Sequence, residues 1–139
     1  MPTEQFLALQ ESRRACLRAL RAGLLHVHKE VIRYDRTQYE RVHGPVPSGR
    51  FVQVVTEDPY FRWLDPLSRL IIEIDEELDG AEHHDDTCRA VADAAAKLFS
   101  DRGDETFRTR YQQALQDEPA VVIAHSALLS VIAQLRQLP

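Results

Sequence analysis

The stretch Phe51–Gly80, FVQVVTEDPYFRWLDPLSRLIIEIDEELDG, carries the densest apolar pattern of the chain and its only tryptophan. It contains two Asp-Pro steps, at positions 58–59 and 65–66. In each step the aspartate can accept hydrogen bonds from first-turn amides, and the proline takes the first helical position, where no donor is missed. These steps predict a single helical turn over Pro59–Leu64 and a new helix after it.

The second half of this stretch has the spacing of an amphipathic helix. At about 100° per residue one face collects five apolar side chains: Leu67, Leu70, Ile71, Ile74 and Leu78. We predict a helix over Pro66–Leu78 that ends at Gly80 and lies near the centre of the fold. The acidic residues of this helix, Glu73 and Glu76 among them, fall on its solvent side.

The segment before this stretch predicts one long helix and one short one. Thr3 can cap a helix over Glu4–Val42, and its apolar residues step by three and four, as in antiparallel helix packing: Leu17, Leu20, Leu24, Val27, Val31 and Tyr34. Gly23 inside it costs about 1 kcal/mol relative to alanine. After the loop His43–Gly49, Ser48 can cap a short helix that stops near Glu57.

Three further helices are predicted downstream: Thr87–Ser100, a helix through Phe107 and Tyr111, and a last one opened by the Glu118-Pro119 step. No alternating strand pattern exceeds a few residues. We therefore predict an all-α protein, a single domain over residues 1–139 built as a bundle of five to six helices with a long N-terminal helix.

Composition narrows the function classes. The net charge of −5 argues against a nucleic-acid binder, which needs a basic footprint. Cys16 and Cys88 have no metal or redox spacing and fall on apolar helical faces, which favours a reducing compartment. The N-terminus lacks the pattern of a signal peptide, and we found no run of about 18–20 apolar residues. We expect a cytoplasmic protein that contacts neither nucleic acid nor membrane.

Three blocks of the chain from about Leu24 onward carry a resemblance: LLHVHKEVIRYDRTQYERVHGPVPSG, DPYFRWLDPLSRLIIEIDEELD and FRTRYQQALQDEPAVVIAHSAL. In them the chain resembles a family of small, uncharacterised, all-helical bacterial proteins. The resemblance implies a bacterial cytoplasmic setting and, because no activity is attached to that family, it implies no cofactor and no catalytic residue.

Metal and catalytic motifs are incomplete. A di-iron bundle needs two Glu-x-x-His motifs, whereas this chain has one, Glu40 with His43, and it runs into a Gly-Pro loop. The run HHDD at 83–86 could suggest a metal-dependent phosphohydrolase, but it lies in a polar linker. We read it as two solvated histidines and two aspartates that cap a helix. No cofactor, metal ligand or catalytic residue is predicted.

The strongest candidate site is a set of polar residues on apolar helical faces. It consists of His28, Asp35 and Tyr39 on the first helix and His125 on the last. Buried polar groups need partners, so these four predict either a structural hydrogen-bonded cluster or a ligand pocket inside the bundle. His28 and Asp35 lie about 10 Å apart along the axis, too far to bind one ion together.

Two functions remain open. The first is a non-enzymatic interaction or regulatory module that can self-associate as a homodimer, favoured because the apolar arc of the last helix is wider than one neighbour would cover. The alternative is a helical protein that binds a small molecule or a metal in an internal polar pocket, a class that includes enzymes. A protein partner other than a second copy cannot be named from the sequence.

Overall fold

A computed structural model describes residues 3–83 and 85–137, without the side chains of residues 85 and 86. Its elements follow in chain order: α1 Glu4–His43, α2 Ser48–Glu57, a 3-10 helix Pro59–Leu64, α3 Asp65–Asp79, α4 Asp85–Leu98, α5 Glu105–Asp117 and α6 Pro119–Arg136. The described residues form no strand. The all-α bundle with a long first helix is therefore confirmed.

The N-terminal capping predictions are partly confirmed. Thr3 accepts a hydrogen bond from the amide of Phe6, and Asp58 accepts one from the amide of Tyr60 at the start of the 3-10 helix. The Ser48 prediction is wrong, because Pro47 takes the cap position and makes no side-chain bond there. Asp65 likewise begins α3 instead of capping it, since the 3-10 helix runs directly into α3.

The centre of the bundle is the pair α1 and α6, with α3 packed along another side of α1. This corrects the prediction that the Pro66–Leu78 helix lies near the centre of the fold, because α6 is the main neighbour of α1. A Cβ at Gly23 would come within 3.1 Å of Leu128 Cδ1, and further along α1 Tyr34 bonds to Asp117. Because residue numbers rise on one helix as they fall on the other, the two run antiparallel.

The α1 seam is buried as the spacing predicts, with full burial of Leu17, Leu20, Leu24, Val27 and Val31. Tyr34 is the exception, since it is only partly buried and Asp35 takes the inward position beside it. α1 also continues through Gly23 without a break. The missing side chain there lets α6 approach closely, which gives this glycine a packing reason that offsets its cost in a helix.

Candidate functional site

Asp35 is the predicted site residue that lies deepest, with 4 % of its surface exposed. Trp63 Nε1 donates a hydrogen bond of 2.6 Å to its Oδ2, and Arg110 Nη2 lies 3.4 Å from the same oxygen. Burial raises the pKa of the Asp35 carboxyl, while the bonds from Trp63 and Arg110 act in the opposite direction. The carboxylate is thus partnered by two donors from two other elements.

Arg110 joins this carboxylate to two aromatic rings. Its guanidinium carbon lies 4.7 Å from the centre of the Tyr60 ring and 5.2 Å from that of Trp63. Both distances are in the range of attraction between a cation and the face of an aromatic ring. Asp35 and Arg110 therefore hold α1, the 3-10 helix and α5 together. We call Asp35, Tyr60, Trp63 and Arg110 the Asp35 cluster.

Tyr39 lies one helical turn after Asp35 and reaches the edge of the same cluster. Its hydroxyl donates to Asp58 Oδ2 at 2.9 Å, and its ring meets that of Tyr60 at 5.3 Å. The amide of Tyr60 and the Tyr39 hydroxyl lower the pKa of Asp58. The Tyr39–Asp58 bond fixes the start of the 3-10 helix against α1.

His125 has different surroundings. Its Nδ1 lies 2.8 Å from the hydroxyl of Tyr111, and its ring meets that of Phe99 at 6.0 Å. Burial lowers the pKa of His125 and raises that of Tyr111, so both groups are neutral near pH 7. His125 lines a pocket of about 140 Å³ between the end of α4, α5 and α6, which we call the His125 pocket.

His28 is half-buried on α1 and makes no hydrogen bond to any described residue. Burial lowers its pKa. The structure thus brings Asp35 and Tyr39 to one cluster and places His125 in another, and no contact links His28 to either. The described residues also contain no group of three His, Cys, Asp or Glu side chains placed to hold a metal ion. These contacts give no support to one pocket shared by all four residues.

His83 corrects the interpretation of the HHDD run as solvated, because it is only 1 % exposed. Arg13 Nη1 donates to its backbone carbonyl at 2.7 Å, and Arg14 Nη1 lies 3.1 Å from its ring Nε2. Since a guanidinium can only donate, Nε2 accepts and the ring proton lies on Nδ1, 3.4 Å from Glu77 Oε1. Glu77 therefore faces His83 and is not part of the solvent-exposed acidic face of α3.

The sequence contains one indication that a partner such as His83 is buried beside α1: Arg13 lies on the inward side of that helix. A buried guanidinium requires an acceptor. That acceptor is a backbone carbonyl in the loop before α4, which no side-chain motif can reveal. The predicted capping by Asp85 and Asp86, and the position of His84, lie outside the residues and side chains that the structure describes.

A wide polar groove of about 700 Å³ runs between the C-terminal half of α1 and the junction of α5 with α6. Tyr34 donates a hydrogen bond to Asp117 in it, and burial together with that carboxylate raises the pKa of Tyr34 to about 12. Basic Arg33 and Arg41 line the groove with acidic Glu30. Because the charges are mixed, the groove favours no single class of ligand.

The two faces of α6 are both apolar, but only one is covered. The inner face packs into the bundle with 4 % exposure or less, through Val121, Ala124, Leu128, Ile132 and Leu135. The outer face is solvent-exposed and mainly apolar, and it consists of Val122, Ile123, Ser126, Ala127, Leu129, Ser130, Ala133 and Gln134. At 100° per residue this outer face spans about 160° of the helix. Arg136 and His125 are the only ionisable residues of α6.

By length and composition α6 could cross a membrane: its 18 residues have a mean hydropathy of 1.4, and 28 % of them are buried. It is the one helix among the described residues that passes this test. The sequence of α6 is nevertheless interrupted by His125, two serines, Gln134 and Arg136, so it is not a continuous run of about 18–20 apolar residues. The test rests on length and composition alone, which a core helix can also satisfy.

No protein-family model matches this chain, and neither the curated proteins nor the solved structures contain a significant match. The resemblance to a family of uncharacterised bacterial proteins therefore stays a prediction.

Proposed function

We propose that this chain is a non-enzymatic helical interaction module that self-associates as a homodimer through the outer face of α6. The observation that carries the proposal is the exposure of large apolar side chains along a helix face that has no charge. Val122, Ile123 and Leu129 are 42 %, 67 % and 44 % exposed. Contiguous apolar surface of this kind is typical of interaction sites, whereas single exposed apolar residues are ordinary.

The shape of the outer face supports a second copy as the partner. Small side chains, Ser126, Ser130 and Ala133, run along its middle. Leu129 stands at one edge, and Ile123 lies toward the other edge. Small residues let two helix backbones approach, and the larger side chains at the edges can then interlock. A face that complements itself is what a two-fold dimer requires.

Charge favours the antiparallel arrangement of two such faces. α6 is capped at its N-terminus by the acidic residue Glu118 and ends at the basic residue Arg136, whose Nε also lies 3.0 Å from Asp93 Oδ1 of the same chain. If two copies of α6 cross antiparallel near Ser126, each Glu118 lies beside the other copy's Arg136. A parallel arrangement would place like charges together at both ends, which is unfavourable.

The size of the face sets the expected affinity. α6 is about 27 Å long and a helix is about 10 Å wide. A contact made by one helix from each copy falls near or below the roughly 1,200 Å² of total buried area typical of stable complexes. We therefore expect a dimer with a micromolar dissociation constant.

A lipid membrane is the competing occupant of this face. Spanning a membrane would require α6 to leave α1, which would expose the α1 seam and the five buried residues of the inner face. Lying on an anionic membrane surface is favoured by basic residues on the polar flank of the helix, and α6 has only Arg136. Both arguments favour a protein surface over lipid.

The test measures molecular mass by sedimentation velocity and light scattering from about 1 to about 500 µM, which brackets a micromolar constant. We expect the mass to rise from monomer to dimer. Leu129→Glu should weaken association at least tenfold, because a two-fold contact would bury two unpaired carboxylates. The matched control Val52→Glu makes the same kind of change on α2, where Val52 is 74 % exposed, and should leave association unchanged.

Two results would overturn the proposal. One is a strict monomer over the whole concentration range; if that monomer floats with mixed phosphatidylcholine and phosphatidylserine vesicles, the outer face is assigned to lipid. The other is association of the Leu129→Glu chain that is no weaker than that of the Val52→Glu chain, which would show that the dimer does not depend on the outer face of α6.

A further inference from the structure

The His125 pocket is a partly open depression that combines apolar, aromatic and hydrogen-bonding side chains. Its apolar side is formed by Leu98, Phe99 and Leu115, and its polar side by His125 with Tyr111. The Phe99 and Tyr111 rings lie 5.0 Å apart in an edge-to-face arrangement, and the Tyr111 and His125 rings are 5.4 Å apart. An apolar wall opposite a few fixed polar atoms is the usual composition of a small-molecule site.

The size of the pocket limits the ligand to one ring. Its volume is about 140 Å³. An engineered apolar cavity of about 150 Å³ in another protein accepts benzene. The aromatic side chains that line the pocket favour an aromatic ring, because such rings attract one another edge to face.

The imidazole of His125 selects the polar group of the ligand. Nδ1 is engaged with the Tyr111 hydroxyl, whereas Nε2 has no hydrogen-bond partner among the described residues. If Tyr111 donates to Nδ1, then Nε2 carries the proton and donates; in the other tautomer Nε2 accepts. A hydroxyl group can match either state, because it both donates and accepts.

The charged residues at the rim of the His125 pocket argue against a charged ligand. Arg108, the basic residue of the rim, already donates to the backbone carbonyl of Asp101. Asp101 is itself part of the rim and adds a negative charge there. His125 is neutral because burial lowers its pKa. The rim therefore offers an anion no free, unopposed positive charge.

We propose that the His125 pocket binds a neutral single-ring aromatic alcohol of the size of phenol, with the ring against Phe99 and Leu115 and the hydroxyl on His125 Nε2. The pocket adjoins the outer face of α6 but shares no residue with it. Its ligand therefore does not depend on the proposed dimer, and either proposal can fail while the other stands.

The experiment titrates phenol into the isotope-labelled protein and follows backbone and imidazole resonances by NMR. A seven-atom ligand is expected to bind with a dissociation constant of about 1 mM. The resonances of Phe99, Tyr111 and His125 should move, and benzene should bind more weakly than phenol by roughly 2–10-fold, the contribution of one hydrogen bond. Benzoate should bind more weakly than phenol as well.

Two kinds of variant make the assignment specific. His125→Phe keeps a ring but removes Nε2, so it should abolish the preference for phenol over benzene. His26→Phe on the exposed side of α1 is its matched control and should leave that preference intact. Leu115→Trp should fill the pocket and abolish binding, and Gln112→Trp at the exposed rim tests the same point if the first variant does not fold.

The proposal is wrong if phenol at about ten times the expected constant moves no resonance in the pocket. It is equally wrong if the folded pocket-filling variant binds phenol as the wild type does. Tighter binding of benzoate than of phenol would replace the neutral ligand with an anion and overturn the assignment to His125 Nε2.

Discussion

In two regions of this molecule the polarity of the side chains differs from that of their surroundings. In the Asp35 cluster a carboxylate lies inside the core, and on the outer face of α6 large apolar side chains lie in water. The first region is satisfied within the chain, because Trp63 and Arg110 both donate to Asp35 Oδ2. The second is not covered by any described part of the chain.

This difference indicates which of the two regions is the better candidate for a binding site. A buried polar group that has hydrogen-bond partners within the chain is explained by the fold, since leaving it unpaired would cost free energy. An exposed apolar face has no such explanation inside the chain. Asp35 and Tyr39 are thus better understood as structural residues, and the apolar face of α6 is the better candidate for binding a protein.

The largest difference in the free energy of unfolding is expected between substitutions of two neighbouring leucines that lie on opposite faces of α6. Leu128→Ala should destabilise the fold by about 2–5 kcal/mol, because Leu128 is fully buried against α1. Leu129→Ala should change the stability of the monomer by no more than about 0.5 kcal/mol, because Leu129 is exposed. Urea unfolding at low protein concentration, followed by the fluorescence of the single tryptophan, Trp63, measures both.

Leu129→Ala has a second, separate outcome if α6 mediates self-association. At high concentration dimerisation adds to the stability of the wild type by mass action, and this added stability should shrink in the Leu129→Ala chain. Equal losses from the two substitutions at low concentration would mean that the outer face is packed within the monomer, and the contrast between the faces would disappear.

An intermediate effect is expected at the Asp35 cluster. Trp63→Phe removes the donor to Asp35 and should cost about 1–3 kcal/mol, because a buried charge loses a hydrogen bond. Far-ultraviolet circular dichroism during urea unfolding measures the loss, since the variant has no tryptophan. In a double-mutant cycle with Asp35→Leu the two costs should fall short of adding, by about 0.5–3 kcal/mol.

Strict additivity of these two substitutions would contradict the account of Asp35 as a partnered structural residue. The Asp35 carboxylate would then be available for another role, and the Asp35 cluster would differ less from the outer face of α6. Tyr39→Phe offers a matched removal of a hydroxyl from the same helix. Because its bond goes to Asp58 and not to Asp35, it should add to Asp35→Leu more nearly independently.

The helices could be predicted from sequence because each rests on local rules. The Asp-Pro steps and the three-and-four spacing of α1 act within one or two turns. Helical spacing also identified Asp35 as an inward residue. It could not identify Arg110 as its partner, because the two are 75 positions apart and meet only through the packing of α5 on α1.

The central position of α6 and the burial of His83 were missed for related reasons. The apolar spacing of α6 indicates which face is buried, but it does not indicate that α1 is the main neighbour of that face. Leu128 meets α1 because Gly23 allows close approach there, a fit that depends on two helices together. The backbone carbonyl of His83 accepts hydrogen bonds from the side chains of Gln10 and Arg13, and the polar residues around His83 in the sequence give no sign of these bonds.

The smallest effect concerns the pH dependence of stability at Asp35. Burial raises the pKa of Asp35 in the folded state above its unfolded value, so the folded chain holds that proton to a higher pH. Stability should therefore fall as pH rises between the two pKa values. Each unit of difference is worth about 1.4 kcal/mol, and the bonds from Trp63 and Arg110 offset part of it.

Asp35→Asn removes this ionisation and keeps an oxygen that can accept from Trp63. Urea unfolding of both chains between about pH 4 and 8 should show the variant gaining stability relative to the wild type as pH rises. The lowered pKa values of Asp58 and Asp117 have the opposite sign, since their contribution is lost as pH falls. Both chains share that loss, so it cancels in the difference. A difference that moves against the variant with rising pH would mean that Arg110 outweighs burial, and that the core favours a charged Asp35.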